Sequence, residues 1–305
     1  MNDVAIRSTK LSPFFPFSCA FRLAACNLLI LSLLAVRLTR LNSVWSIADL
    51  TALGGPAGST LAAGLSKAPQ KPKVLLIEAG GRNEDHNLRV DGQRWLTFQN
   101  KDMNWGYKTS AQSDCNNREI DYSRGLGMGG SSAINFGVYS VGARGDYEEW
   151  ARIAGDDAFA WKSIQGRLKS LETFHGDLPP GVESKYASPK PDDHGMAGPL
   201  HVGFASEWER DLPPLLDLFE QAGFPLNPDH NSGNPIGMSV LINSSYNGVR
   251  STAADQLAVC SDNLTVVTNT PVQRVVLEGK KVVGVEANGQ KCELRFPWSR
   301  RVLAN

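Results

Sequence analysis

Four glycines fall within the six residues Gly125 to Gly130, inside the longer run Arg124-Gly125-Leu126-Gly127-Met128-Gly129-Gly130-Ser131-Ser132-Ala133-Ile134-Asn135-Phe136-Gly137-Val138-Tyr139. A segment so poor in side chains cannot fill a core. It can take backbone dihedrals closed to other residues and lie directly against a flat or charged ligand. The hydroxyls of Ser131 and Ser132 and the amide of Asn135 add donors and acceptors at close range. The run therefore predicts a cradle for a ligand. Its candidate contacts are Arg124, Gly127, Gly129, Gly130, Ser131, Ser132, Asn135, Phe136, Gly137 and Val138.

A second glycine cluster lies upstream. Leu53-Gly54-Gly55-Pro56-Ala57-Gly58 opens a segment from Ser59 to Lys67 with Leu61, Ala62 and Leu65 at helical spacing, broken by Pro69 and Pro72. Val74 to Ile77 reads as a short buried strand and ends in Glu78-Ala79-Gly80. Glu78 comes 20 residues after Gly58, the separation expected of a carboxylate that binds a ribose hydroxyl at the end of the second strand. Turn, helix, strand and acid in this order predict a Rossmann-like α/β unit, with Gly54, Gly55, Ala57, Gly58, Glu78 and Ala79 at the nucleotide. Against Gly-x-Gly-x-x-Gly, however, Leu53 occupies the tight-turn position, while Gly55 and Gly58 fill the other two. Val44 to Ala52 is also a poor first strand, because Asp49 falls where a buried parallel strand is apolar.

With 305 residues the chain has room for about two domains. Lysine plus arginine and aspartate plus glutamate are each 31, so no net field recruits nucleic acid or an anionic membrane. Cys19, Cys26, Cys115, Cys260 and Cys292 are odd in number and contain no Cys-x-x-Cys pair, so neither a zinc site nor a disulfide framework is indicated. Residues 1–45 read differently from the rest. Ala24 to Val36 is an apolar stretch of 13 residues between Arg22 and Arg37, too short for a membrane span of roughly 20 and of signal-core length. A disordered extension and a signal or signal-anchor, which would make the protein secreted or membrane-anchored, stand side by side. Asn243-Ser244-Ser245 and Asn263-Leu264-Thr265 are glycosylation sequons that matter only on a secreted chain.

The Arg124-Gly125 lead, Gly129-Gly130-Ser131-Ser132 and Asn135 resemble the first signature of the glucose-methanol-choline (GMC) family of FAD-dependent oxidoreductases. Asp102 to Tyr107, Asp146-Tyr147 with Trp150-Ala151, Gly198 to Val202, and Gly248-Val249-Arg250-Ser251-Thr252-Ala253-Ala254-Asp255 are similar to further segments of that family. The resemblance covers Gly54 to Asn305. It implies FAD as cofactor, with the signature along the flavin, and a small-molecule alcohol as substrate. It also implies a backbone contact from Val272 to the flavin nucleotide. The implied division is an FAD-binding domain from 46–155 and 250–305, with 156–249 as part of an α+β substrate domain. Within the latter, helices are predicted over Phe159 to Phe174 and Leu212 to Gly223, with a loop from Gly176 to Ala197 between them. Strands Leu264 to Thr268, Val272 to Leu277 and Val282 to Ala287 are expected to return the chain to the nucleotide domain.

The resemblance ends before the family's second signature and its catalytic histidine, which implies a truncated copy. None of His86, His175, His194, His201 and His230 stands in a matching context, so no catalytic residue is assigned. Two alternatives remain open. One is a noncatalytic flavin-binding remnant or partner protein. The other is a serine hydrolase, since Gly129 to Ala133 loosely resembles a nucleophile elbow, although Ala133 stands where that motif has glycine.

Overall fold

A computed structural model describes residues 49–52, 54–260 and 262–293. The 1–45 extension, Leu53 and the segment after 293 lie outside the described residues. A parallel sheet in the order β1-β2-β7 joins β1 (Asp49–Ala52), β2 (Val74–Ile77) and β7 (Leu264–Val267). Helix α1 (Pro56–Ser66) makes the crossover between β1 and β2. It begins three residues earlier than its apolar spacing predicts, because Pro56 at its first position already has a helical φ and gives up no needed donor. The weak first strand does form over its last four residues. Asp49 is its first residue, and β1 occupies the edge of the sheet, where the demand for an apolar strand is least.

Ala62, Leu65, Val74 and Leu76 make the core between α1 and the sheet, and Met128 from the glycine-rich run closes it. Full burial of one such leucine contributes roughly 1.5–3 kcal/mol. The 3-10 helix Ala253–Leu257 packs on α1, and Gln256 Nε2 donates to Thr60 Oγ1 at 3.0 Å.

All three expected strands form, and β7 joins the parallel sheet. Strands β8 (Val272–Glu278) and β9 (Lys281–Ala287) instead pair antiparallel with each other and with β10 (Gln290–Glu293) in a separate sheet. Tight turns at Gly279 and Gly289, both at positive φ, favour hairpins over crossovers.

Helix α2 (Arg94–Gln99) packs beside α3 (Ser131–Ile134), which lies within the glycine-rich run. Helix α4 (Arg144–Ala154) carries the Asp-Tyr-x-x-Trp pattern. Helix α5 (Trp161–Leu171) is shorter than predicted, because the chain turns directly into β3 (Glu172–His175). Strand β4 (Leu200–Gly203) pairs parallel to β3, and α6 (Leu212–Gln221) follows. The strand pair β5 (Ser245–Tyr246) and β6 (Val249–Arg250) leads back toward the parallel sheet. Phe174, Ala187, Val202, Phe204 and Ile242 form a second core on one face of β3 and β4.

Candidate functional site

The two glycine clusters meet through the Glu78 carboxylate, which is buried at the end of β2. Its Oε2 accepts from the Gly54 amide at 2.6 Å, and its Oε1 accepts from Gly80 and Gly127 at 3.0 and 2.9 Å. The Gly129 amide donates back to the Gly54 carbonyl at 2.8 Å. One side chain thus ties the turn before α1 to the glycine-rich run. Gly55 caps α1 with no side-chain acceptor, so the leading amides around Ala57 and Gly58 are left for a ligand at the helix N-terminus. Ala79 lies between Glu78 and Gly80 in this knot, and Asn269 and Thr270 donate to the Gly80 and Glu78 carbonyls at 2.8 and 2.9 Å. Val272 follows two residues later, at the start of β8.

Two glycines in the run have no substitute. A Cβ on Gly125 would lie 2.1 Å from the carbonyl carbon of Gly130. One on Gly130, at φ +52°, would lie 2.7 Å from the Gly55 Cα. These approaches bury Gly127, Gly129, Gly130, Ala133, Ile134 and Gly137. Arg124, Ser131, Asn135, Phe136 and Val138 remain exposed around them, so the run presents a polar and aromatic surface on a backbone floor. Ser132 points inward: its Oγ donates to the Gly129 carbonyl at 2.6 Å and accepts from the Ala253 amide at 2.9 Å. Ser131 Oγ accepts from Gly125 at 3.1 Å. Both hydroxyls engage backbone, with no strand before them and no histidine partner, which is not a nucleophile elbow. Arg124 stacks over the Tyr122 ring at 3.7 Å.

The sequence reading missed the side chains that hold this floor from below. Arg250 is 1% exposed, and its Nη1 donates to the carbonyls of Ser132 and Asn135 at 3.2 and 2.7 Å and to Asn135 Oδ1 at 3.0 Å. Its Nε and Nη2, which together form the side-on fork, have no partner among the described residues. Burial, then the nearby Arg94 charge, lowers the guanidinium to about 10. Arg94 donates to Asp91 at 2.6 Å and to the Phe136 carbonyl, and Arg89 pairs with Asp255 at 2.6 Å. Asn83 Nδ2 donates to the carbonyls of Leu126 and Met128, both at 3.0 Å. Arg250 belongs to a motif already noted in the sequence, whereas nothing in the local sequence of Asn83 or Arg94 singles them out.

The five histidines divide between interior and surface. His194 is buried between Asp229, whose Oδ2 is 3.1 Å from Nε2, and Glu172, whose Oε1 is 3.3 Å from Nδ1. Phe174 stacks on the ring at 3.9 Å between centroids. Burial alone would lower this imidazole, but the hydrogen bonds and charges of Asp229 and Glu172 outweigh it and raise it to about 9. His230 is also buried, with Nε2 3.2 Å from the Tyr139 carbonyl. His175 and His201 pair with each other, and His86 is exposed on a 3-10 turn.

The residues present fit an FAD. The N-terminus of α1 lacks a capping side chain, the glycine floor admits a flat ligand, and exposed Ser131 and Asn135 can reach it. Beneath them, three arginines (Arg89, Arg94, Arg250) face two aspartates (Asp91, Asp255), which leaves positive charge under the run. The family model described as GMC oxidoreductase matches residues 47–302. Pyridoxine 4-oxidase of Microbacterium luteolum is 32% identical over 250 residues, covering 79% of this chain and 46% of that protein. Pyranose dehydrogenase of Agaricus campestris is 34% identical over 238 residues, covering 76% and 39%. Among solved structures, pyridoxine 4-oxidase from Mesorbium loti superposes with a TM-score of 0.68 at 30% identity, over 80% of this chain and 47% of that one. The chain spans less than half the length of these relatives.

Proposed function

Starting from the chain's membership in the GMC oxidoreductase family, we propose that it contributes the cofactor-binding part of an FAD-dependent oxidoreductase acting on the CH–OH group of a small-molecule alcohol. The cofactor is FAD. The observation that carries the reading is the Glu78 knot, because it brings a dinucleotide turn and a Gly-Gly-Ser-Ser run into one surface. Nicotinamide enzymes use the first element without the second in this form. The relatives named pyridoxine 4-oxidase and choline dehydrogenase support an alcohol as substrate.

In this reading the amides of Gly55, Ala57 and Gly58 would hold the pyrophosphate. Glu78 and Ala79 would meet the adenosine ribose, and the Val272 backbone would meet the nucleotide. Gly127, Gly129, Gly130, Ser131, Ser132, Asn135, Phe136, Gly137 and Val138 would line the flavin side, with Arg124 at the rim. Residues 46–155 and 250–305 would form the FAD-binding domain, and 156–249 part of the substrate domain. When bound, the flavin supplies the acceptor for hydride from the carbinol carbon. What this chain's residues do is bind and orient. The uncapped helix would attract the phosphates, and the glycine floor would shield the ring system from water. Arg250 holds Asn135 in place through its carbonyl and its side-chain oxygen.

Glu78→Ala is expected to weaken FAD binding by about 1.5–3 kcal/mol, the scale of a lost charge-assisted hydrogen bond. Titration of the folded protein with FAD, followed by flavin fluorescence, measures it. Undiminished affinity would remove Glu78 from the site. Bleaching of bound flavin by a panel of primary and aromatic alcohols separates turnover from binding alone.

A further inference from the structure

Outside the cofactor surface, β3 and β4 hold a second cluster. Thr173 lies opposite His201 in the parallel register, and His175 lies two residues further along β3. Both histidines therefore share the face of the strand pair turned away from buried Phe174 and Val202. They are diagonal neighbours, and His175 Nε2 lies 2.9 Å from His201 Nδ1. Tyr246 on β5 stacks on one face of the His175 ring, with centroids 3.4 Å apart and planes 8° apart. The backbone of His201 is held by its amide's hydrogen bond to Ser251 Oγ at 3.1 Å. His175, Asp177, Ser206, Tyr246 and Asn247 line a cavity of about 220 Å³, and His201 is itself exposed, so water reaches the pair.

We propose that His175 and His201 form a binding site for a first-row divalent transition metal, with water completing the coordination. Two imidazole nitrogens at about 2.0–2.1 Å from a common metal stand about 2.9 Å apart at a right angle and about 3.4 Å apart at the tetrahedral angle. The observed separation is already at the lower of these. Aiming both lone pairs at one metal turns each ring roughly 35–45° off the nitrogen-to-nitrogen line, which exchanges the hydrogen bond for two metal bonds. In the neutral pair the bridging proton moves to the outer nitrogen of its own ring, so no proton need leave. Two neutral imidazoles select nickel and copper over manganese. The site does not depend on FAD.

Titrating the full chain with Ni²⁺, Co²⁺ and Mn²⁺ in a competing chelator tests the proposal. One equivalent is expected to bind, in the affinity order Ni²⁺, Co²⁺, Mn²⁺. His201→Gln, which can still hydrogen-bond to His175, is expected to weaken Ni²⁺ binding at least about 30-fold with an unchanged melting temperature. His175→Ala is expected to do the same, and exposed His86→Ala to leave binding unaltered. Equal Ni²⁺ affinity in wild type and His201→Gln would overturn the site. So would the absence of stoichiometric binding in the wild type, which would leave a shared proton as the pair's only occupant.

Discussion

The proposed cofactor surface and the β3–β4 layer both join distant segments, with a different balance of backbone and side chain. Around Glu78 and Gly125 to Gly130 the joints are made by backbone. Main chains touch where no Cβ fits, and one carboxylate and one guanidinium gather amides and carbonyls. In the β3–β4 layer side chains do more of the joining, with Phe174, Val202 and Ile242 packed on one face and Glu172, His194 and Asp229 linked in the interior, although Gly195 and Gly198 also bring main chains together where no Cβ fits. The first arrangement leaves a surface open to a ligand, while the second fills its own interior. Backbone joints tolerate no added atom in either region, whereas a position such as Gly166 on α5 leaves room for one.

The sharpest way to break this contrast is one substitution made in both regions. Gly125→Ala places a methyl group 2.1 Å from the Gly130 carbonyl carbon and is expected to destabilise by more than about 4 kcal/mol, with FAD binding lost. Gly166→Ala, mid-way along α5 with nothing within 4 Å, is expected to stabilise by about 0.5–1 kcal/mol. Thermal and urea melts measure both, and equal signs would end the distinction.

The next largest effect belongs to the ionic trio. His194 is raised to about 9 in the fold, against 6.5 when free. A raised histidine stabilises fully below its unfolded pKa and loses that contribution as pH rises through the folded one. Stability should therefore fall by about 3 kcal/mol between pH 6.5 and just above 9. Urea melts across that range measure the slope, and His194→Gln should flatten it. A slope that survives the substitution would place the titration elsewhere.

Arg250→Met is expected to cost about 2 kcal/mol. It leaves the Ser132 and Asn135 carbonyls unpaired but also removes a buried charge whose fork has no partner. Amide exchange at 132–135 should quicken more than exchange in β2. Uniform quickening would show that Arg250 supports the whole fold and not the glycine floor alone.

Legibility in the sequence follows the same divide. Glycine in clusters has few purposes, so Gly54-Gly55 and Gly125 to Gly130 announce a cradle before any coordinates. Val74 to Ile77 followed by Glu78 places the acid correctly because strand and residue are contiguous. Glu172, His194 and Asp229 are scattered over 58 positions and resemble ordinary polar residues until folding brings them together. His175 and His201 were hidden for the same reason, since their meeting depends on strand register. The departure of β8 and β9 into their own sheet turned on the hairpin glycines, which apolar alternation does not weigh.

The central strand of the parallel sheet carries a consequence in time. Val74 on β2 pairs with Leu264 on β7, 190 residues later in the chain. At about 5–20 residues per second, a ribosome needs roughly 10–40 s to deliver the second after the first. Through that interval one edge of β2 has no intramolecular partner and offers its amides and carbonyls to any extended chain nearby. The yield of native protein during synthesis is therefore set by how well that edge is shielded while β7 is still being made. Slower elongation lengthens the exposure and should lower the soluble fraction, whereas a chaperone that covers short apolar strands should restore it.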